Sequence, residues 1–202
     1  MTDSQKNTQY GILYFIPVTM GSDNTNRVLP PDVIKITQSL NEFIVENEKT
    51  ARHFLTTIQH PMPIREIQLK TLDKRTEDKV LPDLLSTLLE GNDVGLMSEA
   101  GCPGIADPGA RLAALAHKKG IRVAPLVGPS SILLSLMASG LNGQRFSFLG
   151  YLPAERAARV QQLKALEHRA KTYNETQIFI ETPFRNQHML EDILAHCGSE
   201  TE

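Results

Sequence analysis

The sequence predicts an α/β protein built on parallel strands, and three observations carry that prediction. Short apolar runs alternate with helical stretches along most of the chain, the pattern of a sheet with crossover helices. Two of these runs feed turns rich in Gly, Pro and Ser that open directly onto helices, at residues 98–109 and 128–131. The first run is continuously apolar rather than alternating, as a strand buried on both faces requires.

In order, Gly11-Ile12-Leu13-Tyr14-Phe15-Ile16-Pro17 reads as a buried strand, preceded by a polar tail over residues 1–9 and ended by its proline. Residues 18–31 are a loop, and a loop of that length directly after a core strand is a candidate for substrate contact. Val33, Ile34, Ile36 and Leu40 recur at helical spacing. Residues 43–46 form a second strand and 47–55 a helix capped by Asn47. Lys49 and Arg52 share one face of that helix, either as solvated surface or as a phosphate site near an anion-favouring N-terminus. Pro61-Met62-Pro63 is a turn, 64–69 a third strand, 73–78 a charged solvated stretch, and 80–89 an amphipathic helix ended by Gly91. Residues 94–97 form the fourth strand. It runs into the glycine-rich loop and then a helix over 110–119, with Asp107 as N-cap and Pro108 in the first turn. Residues 121–127 are the fifth strand, and Ser130 caps a helix over 132–138, although free N–H groups and hydroxyls there suit a ligand equally. Residues 146–153 form a sixth strand. The charged helix over 155–170 carries Arg156, Arg159 and Arg169 as a basic strip diluted by Glu155 and Glu167. Residues 176–182 are the seventh strand, and Pro183 starts a last helix carrying Met189, Leu190, Ile193 and Leu194.

Two blocks follow: an N-terminal α/β domain over 11–127 and a C-terminal α/β domain over 128–202. The second has two strands, fewer than a stable sheet usually needs, and its last helix should feed another, so it is expected to be incomplete. The 202 residues carry a net charge of −2, which gives no overall basic field but leaves room for a local patch. With no Trp and 5% aromatics, no stacking platform for single strands is evident. No apolar run reaches the ~18 residues of a membrane span. Cys102 and Cys197 give neither a disulfide framework nor metal-ligand spacing, which fits a reducing cytoplasm and no metal.

Ser98-Glu99-Ala100-Gly101-Cys102-Pro103-Gly104-Ile105-Ala106-Asp107-Pro108-Gly109 resembles the S-D-A-G-T-P-G-I-S-D-P-G block of the tetrapyrrole methylase superfamily, in its small-subunit ribosomal RNA 2′-O-ribose (cytidine) methyltransferase branch. Further matches lie in the same order. Residues 13–21 resemble the first strand and T-P-I-G turn. Pro125-Leu126-Val127-Gly128-Pro129-Ser130-Ser131 resembles P-I-P-G-P-S-A, Phe148-Leu149-Gly150-Tyr151-Leu152-Pro153 resembles F-x-G-F-L-P, and residues 178–185 resemble I-F-Y-E-S-P-H-R. Glu46-Asn47-Glu48-Lys49 stands where the branch has A-E-D-T, and Cys102 where it has Thr.

The resemblance implies two α/β domains with a cleft that binds S-adenosylmethionine, and a homodimer. By motif match the cofactor meets Ser98, Glu99, Ala100, Gly101, Ile105, Ala106 and Asp107, then Gly128, Pro129, Ser130 and Ser131, then Tyr151, Leu152, Thr182 and Pro183. Methyl transfer to a ribose needs an aligned nucleophile and a carboxylate to take its proton. Glu46 and Glu48 are the candidates put first, with Glu99 and Glu181 behind them. Lys49, Arg52 and Arg185 are the candidate phosphate contacts. The expected partner is ribosomal RNA or the small ribosomal subunit. The alternatives are C-methylation of a tetrapyrrole or other small molecule, and a cofactor-binding homologue without catalysis.

Overall fold

The computed structural model describes residues 9–21 and 24–201. The expected N-terminal tail lies outside them apart from Gln9. Two units are present, Met1–Ser130 and Ser131–Glu202, and the division falls inside the second Gly/Pro/Ser turn.

The first unit holds a five-stranded parallel sheet in the order β3-β2-β4-β1-β5. Its strands are β1 (Ile12–Phe15), β2 (Glu42–Val45), β3 (Gln68–Thr71), β4 (Val94–Met97) and β5 (Arg122–Pro125). Because successive residues of a strand face opposite ways, Leu13, Phe15, Ile44, Val94 and Leu96 join one buried cluster. Phe43, Val45 and Met97 join the other. The first cluster is closed by α4 (Leu81–Leu84), α5 (Ser86–Leu89) and α6 (Gly109–Lys118) through Leu81, Leu85, Leu88 and Leu112. The second is closed by α2 (Pro31–Ser39) and α3 (Glu48–Thr57) through Val33, Phe54 and Leu55. A short α1 (Thr25–Val28) interrupts the expected loop after β1. Asn47 caps α3 as the sequence predicts, its side chain accepting from the N–H groups of Lys49 (2.9 Å) and Thr50 (3.3 Å).

Three local expectations are corrected. The third strand is Gln68–Thr71, not 64–69, because Pro63 starts a turn closed by Glu66 N–H on Pro63 O at 2.8 Å. Ile67 still reaches the core, but from a loop. The helix expected over 80–89 breaks at Leu85, whose N–H bonds Pro82 O three residues back. Helix α6 starts at Gly109, so Asp107 lies one position outside the cap it was expected to fill, and still accepts from Gly109 N–H at 2.8 Å.

The second unit comprises α7 (Ser131–Ser139), β6 (Phe146–Tyr151), α8 (Arg156–Tyr173), β7 (Thr176–Ile180) and α9 (Asn186–His196), with β6 and β7 paired in parallel. Its buried cluster is small: Leu152, Leu163, Leu166 and Met189. An apolar hollow of about 430 Å³ opens beside β7, lined by Leu163, Leu166, Phe179 and Ile193 among others. The expected basic strip is corrected. Arg159 is buried and bonds Asp192 of α9 through Nε (2.8 Å) and Nη2 (2.6 Å), Arg156 joins the same carboxylate at 2.9 Å, and Arg169 binds Glu175. All three are paired with carboxylates of the same unit, and only Arg159 is withdrawn from solvent.

Candidate functional site

The site residues of the first unit gather at the carboxyl ends of β1, β2, β3 and β4, where open α/β sheets bind ligands. The glycine-rich loop leaves β4 and is fixed in three places. Val18 N–H bonds Gly101 O at 2.9 Å, tying the loop to the chain beyond β1. The Asp107 carboxylate accepts from Gly104 N–H (2.8 and 2.9 Å) and Gly109 N–H, closing the loop onto α6. The Cys102 thiol donates to Pro129 O at 3.3 Å, joining the loop to the turn over 128–130. Burial pushes the Cys102 thiol pKa up, so it stays a protonated donor where the motif has a threonine hydroxyl.

Backbone conformation points the same way. Gly101 (φ 69°) and Ala106 (φ 61°) are left-handed. For alanine that costs on the order of 1 kcal/mol and persists only where its surroundings enforce it. A Cβ on Gly101 would sit 3.3 Å from Pro129 O, inside the gap between loop and turn. A Cβ on Gly128 would lie 2.1 Å from the Pro17 Cβ, so that turn passes against the chain beyond β1 in a way only glycine permits. Loop and turn are therefore in direct contact.

Glu46 and Glu48 separate in this setting. Glu46 is half-buried and lines a small recess with Leu72, Ser98 and Asp107. Burial raises its pKa, the nearby Glu99 and Asp107 carboxylates raise it further, and Lys74 opposes them. Asp107 is also held above the usual carboxylate range by burial, against its two backbone hydrogen bonds. Glu48 is exposed on α3 and pairs with Arg52 at 3.2 Å, and Arg52 also donates to Ile64 O at 3.2 Å. Lys49 is exposed in the first turn of α3. A second small recess of about 50 Å³ lies between the loop and α3, lined by Val18, Thr19, Thr50, His53, Phe54 and Glu99 among others. The sequence reading missed Thr50, His53 and Thr57; their spacing on one face of α3 was the available signal.

In the second unit, Tyr151 is exposed at the end of β6, whereas Leu152 as a whole is 2% exposed and belongs to the core. Glu181 Oε1 accepts from Thr182 N–H (2.6 Å), Thr182 Oγ1 (3.2 Å), Arg185 Nε (2.8 Å) and Arg185 Nη2 (2.6 Å). Burial pushes the Glu181 pKa up, but these bonds outweigh it and leave it below the usual value. Arg185 is therefore a brace for the β7 terminus rather than an open phosphate contact. Pro183 is exposed and opens a 3-10 turn, Pro183–Arg185. Among the described residues no group of three or more His, Cys, Asp or Glu is placed to hold a metal, and no helix is long and apolar enough to cross a membrane.

No family model matches the chain. It is 36% identical over 197 residues to a protein named ribosomal RNA small subunit methyltransferase I from Escherichia coli O157:H7, covering 96% of this chain and 64% of that protein. It is 35% identical over 195 residues to the protein of the same name from Vibrio cholerae, covering 95% of this chain and 62% of that one. The chain thus spans less than two thirds of the length of these relatives. Among solved structures, the methyltransferase CobJ superposes with a TM-score of 0.59 at 16% identity, covering 94% of this chain and 77% of CobJ, a likeness of fold.

Proposed function

We propose that the chain, similar to the proteins named ribosomal RNA small subunit methyltransferase I, is a tetrapyrrole methylase superfamily member that methylates a ribose 2′-hydroxyl in small-subunit ribosomal RNA with S-adenosylmethionine as donor. The observation that carries the reading is the joined loop and turn around Gly101, Cys102 and Pro129, which fall on the motifs matched to the cofactor. The residues present fit that cofactor. Beside the loop, the carboxylates of Glu46, Glu99 and Asp107 interact with one another and would favour a cationic sulfonium.

When bound, S-adenosylmethionine would supply an electrophilic methyl group for an in-line displacement by the ribose oxygen. The chain's own task is alignment and proton removal. Ser98, Glu99, Ala100, Gly101, Ile105 and Ala106 offer backbone and small side chains to the cofactor, while Asp107 holds the loop in shape. Gly128, Pro129, Ser130 and Ser131 form the opposing turn. Tyr151, Leu152, Thr182 and Pro183 are assigned to the cofactor by the same motif correspondence. Glu46, rather than Glu48, accepts the ribose proton: it sits in the recess beside the loop with a raised pKa suited to a base. Lys49 is the phosphate contact kept from the original three, since Arg52 and Arg185 have internal partners. Cytoplasmic residence suits this substrate and the free thiols of Cys102 and Cys197.

Incubating the protein with methyl-labelled S-adenosylmethionine and small ribosomal subunits tests the reading. Label in ribosomal RNA that resists alkaline cleavage at one ribose is expected. Label in a tetrapyrrole acceptor alone, or cofactor binding with no transfer to any acceptor, would overturn it.

A further inference from the structure

We infer that the loop after β3, carrying Lys74 and Arg75 at its tip, grips phosphates of the substrate RNA beside the target ribose. The inference rests on the RNA reading above. Its first support is position. Leu72 N–H bonds Val45 O at 2.9 Å, and Val45 pairs with Thr71, so the loop emerges from the sheet directly alongside Glu46. Leu72 lines the same recess as Glu46, Ser98 and Asp107, and the Lys74 charge is felt at the Glu46 carboxylate.

The second support is preorganisation. Asp73 Oδ1 accepts from the N–H groups of Arg75 and Thr76, both at 2.8 Å, and from Thr76 Oγ1 at 3.0 Å. From α6, Arg111 donates to Asp73 O (3.3 Å), Thr76 O (3.0 Å) and Asp78 Oδ1 (2.9 Å). The loop backbone is thus held from within and from a neighbouring helix, while the side chains of residues 74 and 75 stand exposed. A fixed backbone lowers the ordering cost of binding.

The third support is how the local charges are shared out. Asp73 is engaged by its turn, Asp78 by Arg111, and Glu77 by Lys79 at 2.6 Å. No carboxylate among the described residues forms a salt bridge with Arg75. Arg52 is paired with Glu48, and Lys70 with Glu42 at 2.6 Å. In a chain of net charge −2, a polyanion needs such a local patch. The guanidinium fork of an arginine suits phosphate oxygens in particular.

The test compares wild type, the double variant Lys74→Gln/Arg75→Gln, and a control, Lys118→Gln/Lys119→Gln, which removes the same charge at the opposite end of the sheet. Affinity for small-subunit ribosomal RNA is measured across a potassium chloride series, and S-adenosylhomocysteine affinity by calorimetry. The loop variant is expected to bind RNA about tenfold more weakly, with a salt slope shallower by about 1.4, two contacts at ~0.7 each. Its cofactor affinity should be unchanged and the control should match wild type. Equal slopes in loop variant and wild type, or equal losses in both double variants, overturn the assignment. Wild-type protein that binds S-adenosylhomocysteine but no RNA overturns the functional reading and this inference with it.

Discussion

Asp107 is the residue whose role changes most between sequence and structure. The motif assigns it to the cofactor, yet both its oxygens face the backbone of its own loop. Asp107→Ala leaves the N–H groups of Gly104 and Gly109 without that acceptor, and a buried donor left unpaired costs about 1–3 kcal/mol. Asp107→Asn keeps an oxygen in place and should retain most of that stability in a denaturant titration. A variant series in which Ala and Asn behave alike would contradict the capping role. Glu46 supports a prediction of a different kind. Burial and two carboxylates raise its pKa, so methyl transfer should fall on acidification while still above the ordinary carboxylate range. In that same window the folded chain holds the Glu46 proton more tightly than the unfolded chain, so protonation there favours folding. The acid loss of activity is therefore separable from unfolding. Glu46→Gln should abolish most activity and remove that limb from the pH profile of the residue that remains, whereas Glu48→Gln should leave the profile intact.

At the scale of elements, the loop after β4 and the turn after β5 act as one object because Cys102 and Gly101 meet Pro129. Gly128→Ala forces a methyl group against Pro17 and must displace the turn. S-adenosylhomocysteine affinity should fall by at least about tenfold, the scale of a ~1.4 kcal/mol loss. Gly143→Ala, with nothing within 4 Å of the added methyl, serves as control. Titration calorimetry decides; equal affinities in both variants would remove the turn from the cofactor site. The sequence located these two connections well, because Gly, Pro and Ser announce turns locally. It misplaced β3 and fused α4 with α5, since Ile67, Leu81, Leu84, Leu85 and Leu88 are buried, and Ile64 and Leu89 partly so, whichever local conformation carries them. Apolar pattern reports burial, and burial alone does not choose between a strand, a turn and a broken helix.

On the scale of the whole molecule, α7 is the unusual feature. Its sequence is apolar on nearly every face, yet Leu133, Leu134 and Met137 are 52%, 47% and 78% exposed. A helix of that composition is normally buried, which supports the homodimer the family resemblance implies. Light scattering coupled to size exclusion should give a dimer for wild type and a monomer for Leu134→Glu/Met137→Glu; a wild-type monomer at micromolar concentration would contradict it. The sequence by itself determined the α/β class, the strand order along the chain and the motif-bearing loops, because strand alternation, turn chemistry and glycine spacing are encoded within a few neighbouring residues. Only the tertiary structure decided which charges are available. Arg52, Arg159 and Arg185 look like open cations in the sequence and are claimed by Glu48, Asp192 and Glu181. Glu46 and Glu48 look equivalent and are not. Lys74, unremarkable in the sequence, acts on the Glu46 carboxylate. Electrostatic partnership depends on distances set by packing, and in the cases of Glu46 with Asp107 and Arg159 with Asp192 those distances join residues far apart along the chain.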